Sequence, residues 1–112
     1  MISLYILSFI LILSFPDSQV KADCTLNGHK LYGKIMFVDD FPDIKIKIVE
    51  NFPDLKVQLV DNFPNSCGKW QIVNNLPDLK VKIVTDFPDI KVKLINDFPG
   101  IPHDSKIQKN NH

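Results

Sequence analysis

From residue 34 onward, apolar and polar side chains alternate in short runs of constant design. Ile44, Ile46 and Ile48 take every second place, with Lys45 and Lys47 between them. Ile90, Val92 and Leu94 do the same around Lys91 and Lys93. Strict alternation among β-branched residues marks a strand with one buried face. The six-residue runs recur with a Phe-Pro punctuation at Phe41, Phe52, Phe63, Phe87 and Phe98, and Leu76-Pro77 fills the remaining place. Successive punctuation marks are 11, 11, 13, 11 and 11 residues apart. A fixed period of this kind defines a repeat protein.

A second periodicity overlies the first. Residues 33–65 align without gaps on residues 68–100, with 17 of 33 positions identical. The chain therefore consists of two halves of three strands, with Ser66 and Cys67 at the seam. Neither half can bury its Ile/Leu/Val face alone, so each is expected to pack against the other. A meander barrel, a parallel solenoid and an interlaced two-fold sandwich all suit six short strands at this spacing. Asn-Gly and Asp-Gly, the strongest hairpin signals, are absent from the repeats.

The punctuation predicts local structure as well. A residue before proline is driven to extended backbone, which would end each strand at Phe. Pro then presets φ for a turn, and the following Asp43, Asp54, Asp78 or Asp89 would satisfy amide groups of that turn. The five Phe and Leu76 at equivalent corners are expected to fill the core. Trp70 replaces Ile35 of the matching half and should point inward, against a disulfide or into the seam.

The repeat run at residues 34–100 resembles the septoil-knot domain family, small bacterial proteins named for a seven-crossing knot in the backbone. The resemblance lies in the Phe-Pro-Asp-Ile-Lys-Val-Lys-type copies, the interruption at residues 65–68 before Lys69-Trp70, and the closing Phe98-Pro99-Gly100. It implies an all-β fold, compact and knotted, with strands wound twice around a centre. It brings no established activity and no catalytic residues.

Outside the repeats, residues 4–15 form an apolar run of 12 closed by Pro16. A membrane-spanning helix needs about 20 apolar residues. The run instead matches the core of a secretory signal peptide, with Val20 and Ala22 as the small residues before a cut. No Lys or Arg precedes it, so an uncleaved anchor is the alternative. This gives a signal peptide at 1–22, a repeat β domain at 23–102 and a polar tail at 103–112. The protein is then secreted or periplasmic. There, Cys24 and Cys67, the two cysteines of the chain, form one disulfide. Closing a loop of about 43 residues would be worth roughly 4 kcal/mol by chain entropy.

Composition narrows function by exclusion. The 13 cationic residues, all Lys, balance 13 carboxylates, so the broad basic field of a nucleic-acid binder is missing. Lys holds the second place of every repeat, at Lys34, Lys45, Lys56, Lys69, Lys80 and Lys91. That stripe is a solvated face or, alternatively, a binding face for a polyanion or an anionic surface. Stacked Asp residues at turns can hold Ca²⁺, but these turns lack the glycines of such sites. His29, His103 and His112 show no metal-ligand spacing. No nucleophile-base set or phosphate loop is present. The expectation is a non-enzymatic monomer without a cofactor. It would serve a structural or interaction role, with a protein or cell-surface partner.

Overall fold

The computed structural model describes residues 19–102. The apolar run at 4–15 and the tail at 103–112 lie outside the described residues. The described chain is all-β: β1 (Thr25–Leu26), β2 (His29–Lys30), β3 (Gly33–Phe37), β4 (Ile44–Ile48), β5 (Leu55–Leu59), β6 (Lys69–Ile72), β7 (Leu79–Ile83) and β8 (Ile90–Leu94). β1 and β2 form a small antiparallel hairpin. The other six strands are all parallel and close into a barrel in the order β3-β6-β5-β8-β4-β7.

The ring alternates strictly between the two halves. β3, β4 and β5 pair only with β6, β7 and β8. The duplication seen in the sequence is therefore interleaved strand by strand, so no half has a sheet of its own. Of the three architectures open to the sequence, the barrel is correct, but it is parallel rather than a meander. Following the chain, each step within a half advances two places around the ring, and the step from β5 to β6 advances one. The path makes one and a half circuits in a single sense.

Register explains the core. Each strand pairs through its first part with one neighbour and through its last part with the other. Ile35, for instance, faces Ile72 of β6 and Leu79 of β7. Alternate positions point inward, and their burial is graded along the barrel. First positions Ile44, Leu55, Leu79 and Ile90 and third positions Ile35, Ile46, Val57, Trp70, Val81 and Val92 are all fully buried. Fifth positions are not: Phe37, Ile48, Leu59, Ile72, Ile83 and Leu94 are 39–52% exposed. The third apolar residue of each run thus stands at a rim rather than in the core, because no described residue covers that end.

The opposite end is capped. Cys24, Leu26 and Leu31 join the buried cluster, with Val20 and Tyr32 packed beside it. The cap hairpin turns on Asn27 (φ 53°) and Gly28 (φ 87°), both at the positive φ that the tightest hairpin turn requires. Gly33 and Gly68 take the first position in β3 and at the start of β6, where the other repeats carry Ile or Leu. At Gly68 a Cβ would meet the Gly100 amide at 2.8 Å and would overlap the Lys56 carbonyl oxygen. That corner admits no side chain.

Candidate functional site

Each connection between repeats begins on one flank of a strand of the barrel. Four of them can be followed to the opposite flank. The Val38 N–H donates to the Val81 carbonyl and the Asp43 N–H to the Lys80 carbonyl, so residues 38–43 pass from one side of β7 to the other. Val49 and Asp54 bracket β8 in the same way, Val73 and Asp78 bracket β3, and Val84 and Asp89 bracket β4. After the last strand, Ile95 and Gly100 bracket β5. Val60 bonds the Trp70 carbonyl of β6, and there the extra seam residues turn the chain back into β6 itself. The barrel interior is filled, so the crossings run over its outer surface.

Every corner side chain therefore stands outside a strand. Phe41, Phe52, Phe63, Leu76, Phe87 and Phe98 are 78–90% exposed. This overturns the expectation that they fill the core. The expected extended backbone is also wrong: all six lie at φ between 49° and 57°. The physical reason is the crossing. A short link that must leave one flank and return to the other reverses sharply at its apex. The hydrogen bonds at its two ends override the pre-proline preference. Left-handed backbone at a bulky residue costs roughly 1–2 kcal/mol. Six strands carry six such apexes, so the barrel wears a girdle of large apolar side chains in the ring order Leu76, Phe63, Phe98, Phe52, Phe87, Phe41.

The Asp that follows four of the Phe/Leu-Pro corners does a different task from the one expected. Asp43 accepts the Lys80 N–H, Asp54 the Lys91 N–H, Asp78 the Lys34 N–H and Asp89 the Lys45 N–H, at 2.7–2.8 Å. These amides belong to strands of the other half, not to the local turn. With the backbone bonds above, each Asp grips one residue of the opposite half at both its N–H and its carbonyl. The two repeats lacking Asp differ as the seam demands. Gly100 exchanges both backbone bonds with Lys56, and the Lys69 N–H goes to the Ser66 carbonyl.

The six lysines of the second position are spread around the barrel. Lys34, Lys45 and Lys91 are exposed, whereas Lys56, Lys69 and Lys80 are half-buried beside the crossing links. The links interrupt the stripe, but neighbouring strands still set like charges side by side: Lys45 with Lys82, Lys47 with Lys91 and Lys56 with Lys93. The acidic residues Asp39, Asp40, Asp61, Asp86 and Asp97 precede the corners and are exposed.

Cys24 and Cys67 form the expected disulfide, joining the cap to the seam with an S–S distance of 2.04 Å. Trp70 points inward as expected and plugs the seam. Its Nε1–H donates to the Leu31 carbonyl at 3.0 Å, and the Phe37 ring lies 6.5 Å away. The cap hairpin was missed by the repeat-based reading, although Asn27-Gly28 was its signal. A surface cleft of about 430 Å³ lies between that hairpin and the barrel and is lined by His29, Lys30, Tyr32 and Asp78 among others. Among the described residues no group of His, Cys, Asp and Glu is placed to hold a metal ion.

A closed barrel of six parallel strands, contributed alternately by two interwound halves and crossed on its outside by the chain's own links, defines a knotted all-β repeat domain. The sequence profile of the 7(1) septoil knot domain matches residues 28–102, and the chain belongs to that family. It is also 73% identical over 48 residues to an uncharacterized protein of Synechocystis sp., a match covering 43% of this chain and 43% of that protein.

Proposed function

We propose that this chain is an exported interaction domain, a rigid disulfide-closed scaffold that acts by contact through its girdle and carries out no chemistry. The observation that carries the reading is the state of the six corners. Each keeps a bulky apolar side chain in water on left-handed backbone, where Gly or Asn would sit with less strain. Strain held at exposed positions argues for use rather than for stability. Six large apolar side chains left in water at equivalent places are more than a surface carries without use. Export supports the disulfide, and the apolar run at 4–15 with Val20 and Ala22 supports export.

The test is retention by the envelope fraction of producing cells. Wild-type protein should co-sediment with it. A Phe41→Ser, Phe87→Ser, Phe98→Ser variant with an unchanged unfolding midpoint should stay in the supernatant. Equal retention of both proteins removes the reading.

A second reading rests on the lysine pairs. Like charges directly opposite each other repel, and Lys45–Lys82, Lys47–Lys91 and Lys56–Lys93 would be relieved by a polyanion. Retention on heparin that vanishes with salt and in Lys45→Gln, Lys47→Gln, Lys91→Gln protein would favour it.

A further inference from the structure

The girdle has properties that together point to one occupant. Its six apexes are set at equivalent places, because each lies four residues beyond the end of a strand and each strand is staggered alike against its neighbours. Each apex carries the same chemistry. A large apolar side chain projects, one or two acidic or amide residues precede it, and the bracketed strand supplies two lysines at β4, β7 and β8 and one at β3, β5 and β6. At β7, for example, Asp39, Asp40 and Phe41 pass beside Lys80 and Lys82. Acids thus precede five of the six apexes, Leu76 following Asn74 and Asn75 instead, and every bracketed strand carries lysine.

We infer that the girdle is a self-association surface, so that the partner it fits is a second copy of this chain. The inference rests on the reading of the girdle as an interaction surface and names its occupant. A surface carrying apolar knobs among interspersed carboxylates and lysines offers both members of each contact, so a second copy can complement it. The zero formal charge leaves no net repulsion to keep copies apart. A nucleic acid or an anionic glycan would meet five Phe and the exposed Asp39, Asp40, Asp61, Asp86 and Asp97 along with the lysines. A planar lipid surface could touch only part of a ring that faces outward on all sides.

The geometry also sets the form of the assembly. A two-fold dimer would occupy one sector of the ring and leave the others free. Equivalent sectors all around the barrel allow further copies to add side by side, which gives open rather than closed assembly.

Sedimentation velocity on the protein as isolated from producing cells, across a concentration series, tests the inference. The average mass should climb with concentration without a plateau at the dimer. Phe→Ser at Phe41, Phe87 and Phe98 should raise the apparent dissociation constant by roughly tenfold or more for each corner engaged. Phe→Leu at the same places should keep association, since Leu76 already serves one apex. Unfolding midpoints of both variants report whether the fold is intact. A wild-type protein that stays monomeric throughout overturns the inference, as does association that survives the Ser substitutions. If the isolated protein is monomeric but the Ser variant alone loses envelope retention, self-association falls and the interaction reading stands. Retention of both proteins with no self-association removes the two together.

Discussion

Asp78 and Lys34 hold each other by two bonds: the Asp78 N–H donates to the Lys34 carbonyl, and the Lys34 N–H returns to the Asp78 carboxylate, each at 2.8 Å. The pair is 44 residues apart in sequence and joins the two halves. Gly33 makes room for it, since a Cβ there would lie 2.7 Å from the Asp78 carboxylate oxygen. The same clasp recurs at Asp43, Asp54 and Asp89. Asp43→Ala, at the part-buried copy, should cost about 1.5–3 kcal/mol by losing a hydrogen bond to a charged acceptor. Asp78→Ala, at an exposed copy, should cost less, about 0.5–1.5 kcal/mol. Urea unfolding of the two variants checks the order.

Gly68 and Gly28 both have positive φ, yet only one is crowded. Gly68→Ala would push a methyl into the Gly100 amide and the Lys56 carbonyl where the chain after β8 crosses β5. Gly28 has open space around it. Gly28→Ala should therefore cost only the backbone strain of roughly 1–2 kcal/mol. Gly68→Ala should exceed about 3 kcal/mol or prevent folding, since the clash adds to the strain. Denaturation midpoints decide, and similar losses at the two sites would contradict the packing described here.

The corners and the core should answer truncation in opposite ways. Ile46→Ala removes a fully buried third-position side chain and should cost about 2–5 kcal/mol. Phe87→Gly removes a side chain that is 90% exposed and relieves left-handed backbone, so stability should hold or rise by up to about 1 kcal/mol. A large loss at Phe87 would mean that the girdle is structural after all.

Each exposed corner is followed by a proline, so the peptide bond that an aromatic-directed protease would attack lacks an N–H on its leaving side. Native protein should resist chymotrypsin. Pro88→Ala should create a single early cut after Phe87, seen as two fragments by mass spectrometry under reducing conditions. Cleavage of wild-type protein at the corners would contradict this.

Removing both cysteines, by Cys24→Ser with Cys67→Ser, frees the cap from the seam. Stability should fall by about 2–4 kcal/mol. Thermal unfolding under reducing conditions should bring wild-type protein to the same midpoint as the variant.

How much of this could be read from the residues follows from where each signal is encoded. The alternation of Ile44, Lys45, Ile46 and Lys47 is local, so strand type and facing were legible. The duplication is explicit in the repeats, so two mutually burying halves were legible too. Inward Trp70 followed from its match with Ile35. The direction of the strands was not legible, because short links suit hairpins and crossings equally. The corners misled for a related reason. A Phe before Pro is apolar and locally prefers extended backbone, and only the long-range bonds from Val38 to Val81 and from Asp43 to Lys80 reveal that the link must arch over a strand. Exposure at Phe41 is thus a property of topology, which no single repeat contains. The paired Asp–Lys clasp was hidden likewise, since its partners lie 37 or 44 residues apart.

Because β3, β4 and β5 find partners only among β6, β7 and β8, the first half of the domain gains nothing by ordering early. Its contacts are overwhelmingly distant in sequence, which makes for slow formation. None of β3, β4 and β5 has a barrel partner to pair with until β6 is synthesised. If the chain is exported as proposed above, that delay would let it pass a narrow pore while pliable and lock only on the far side.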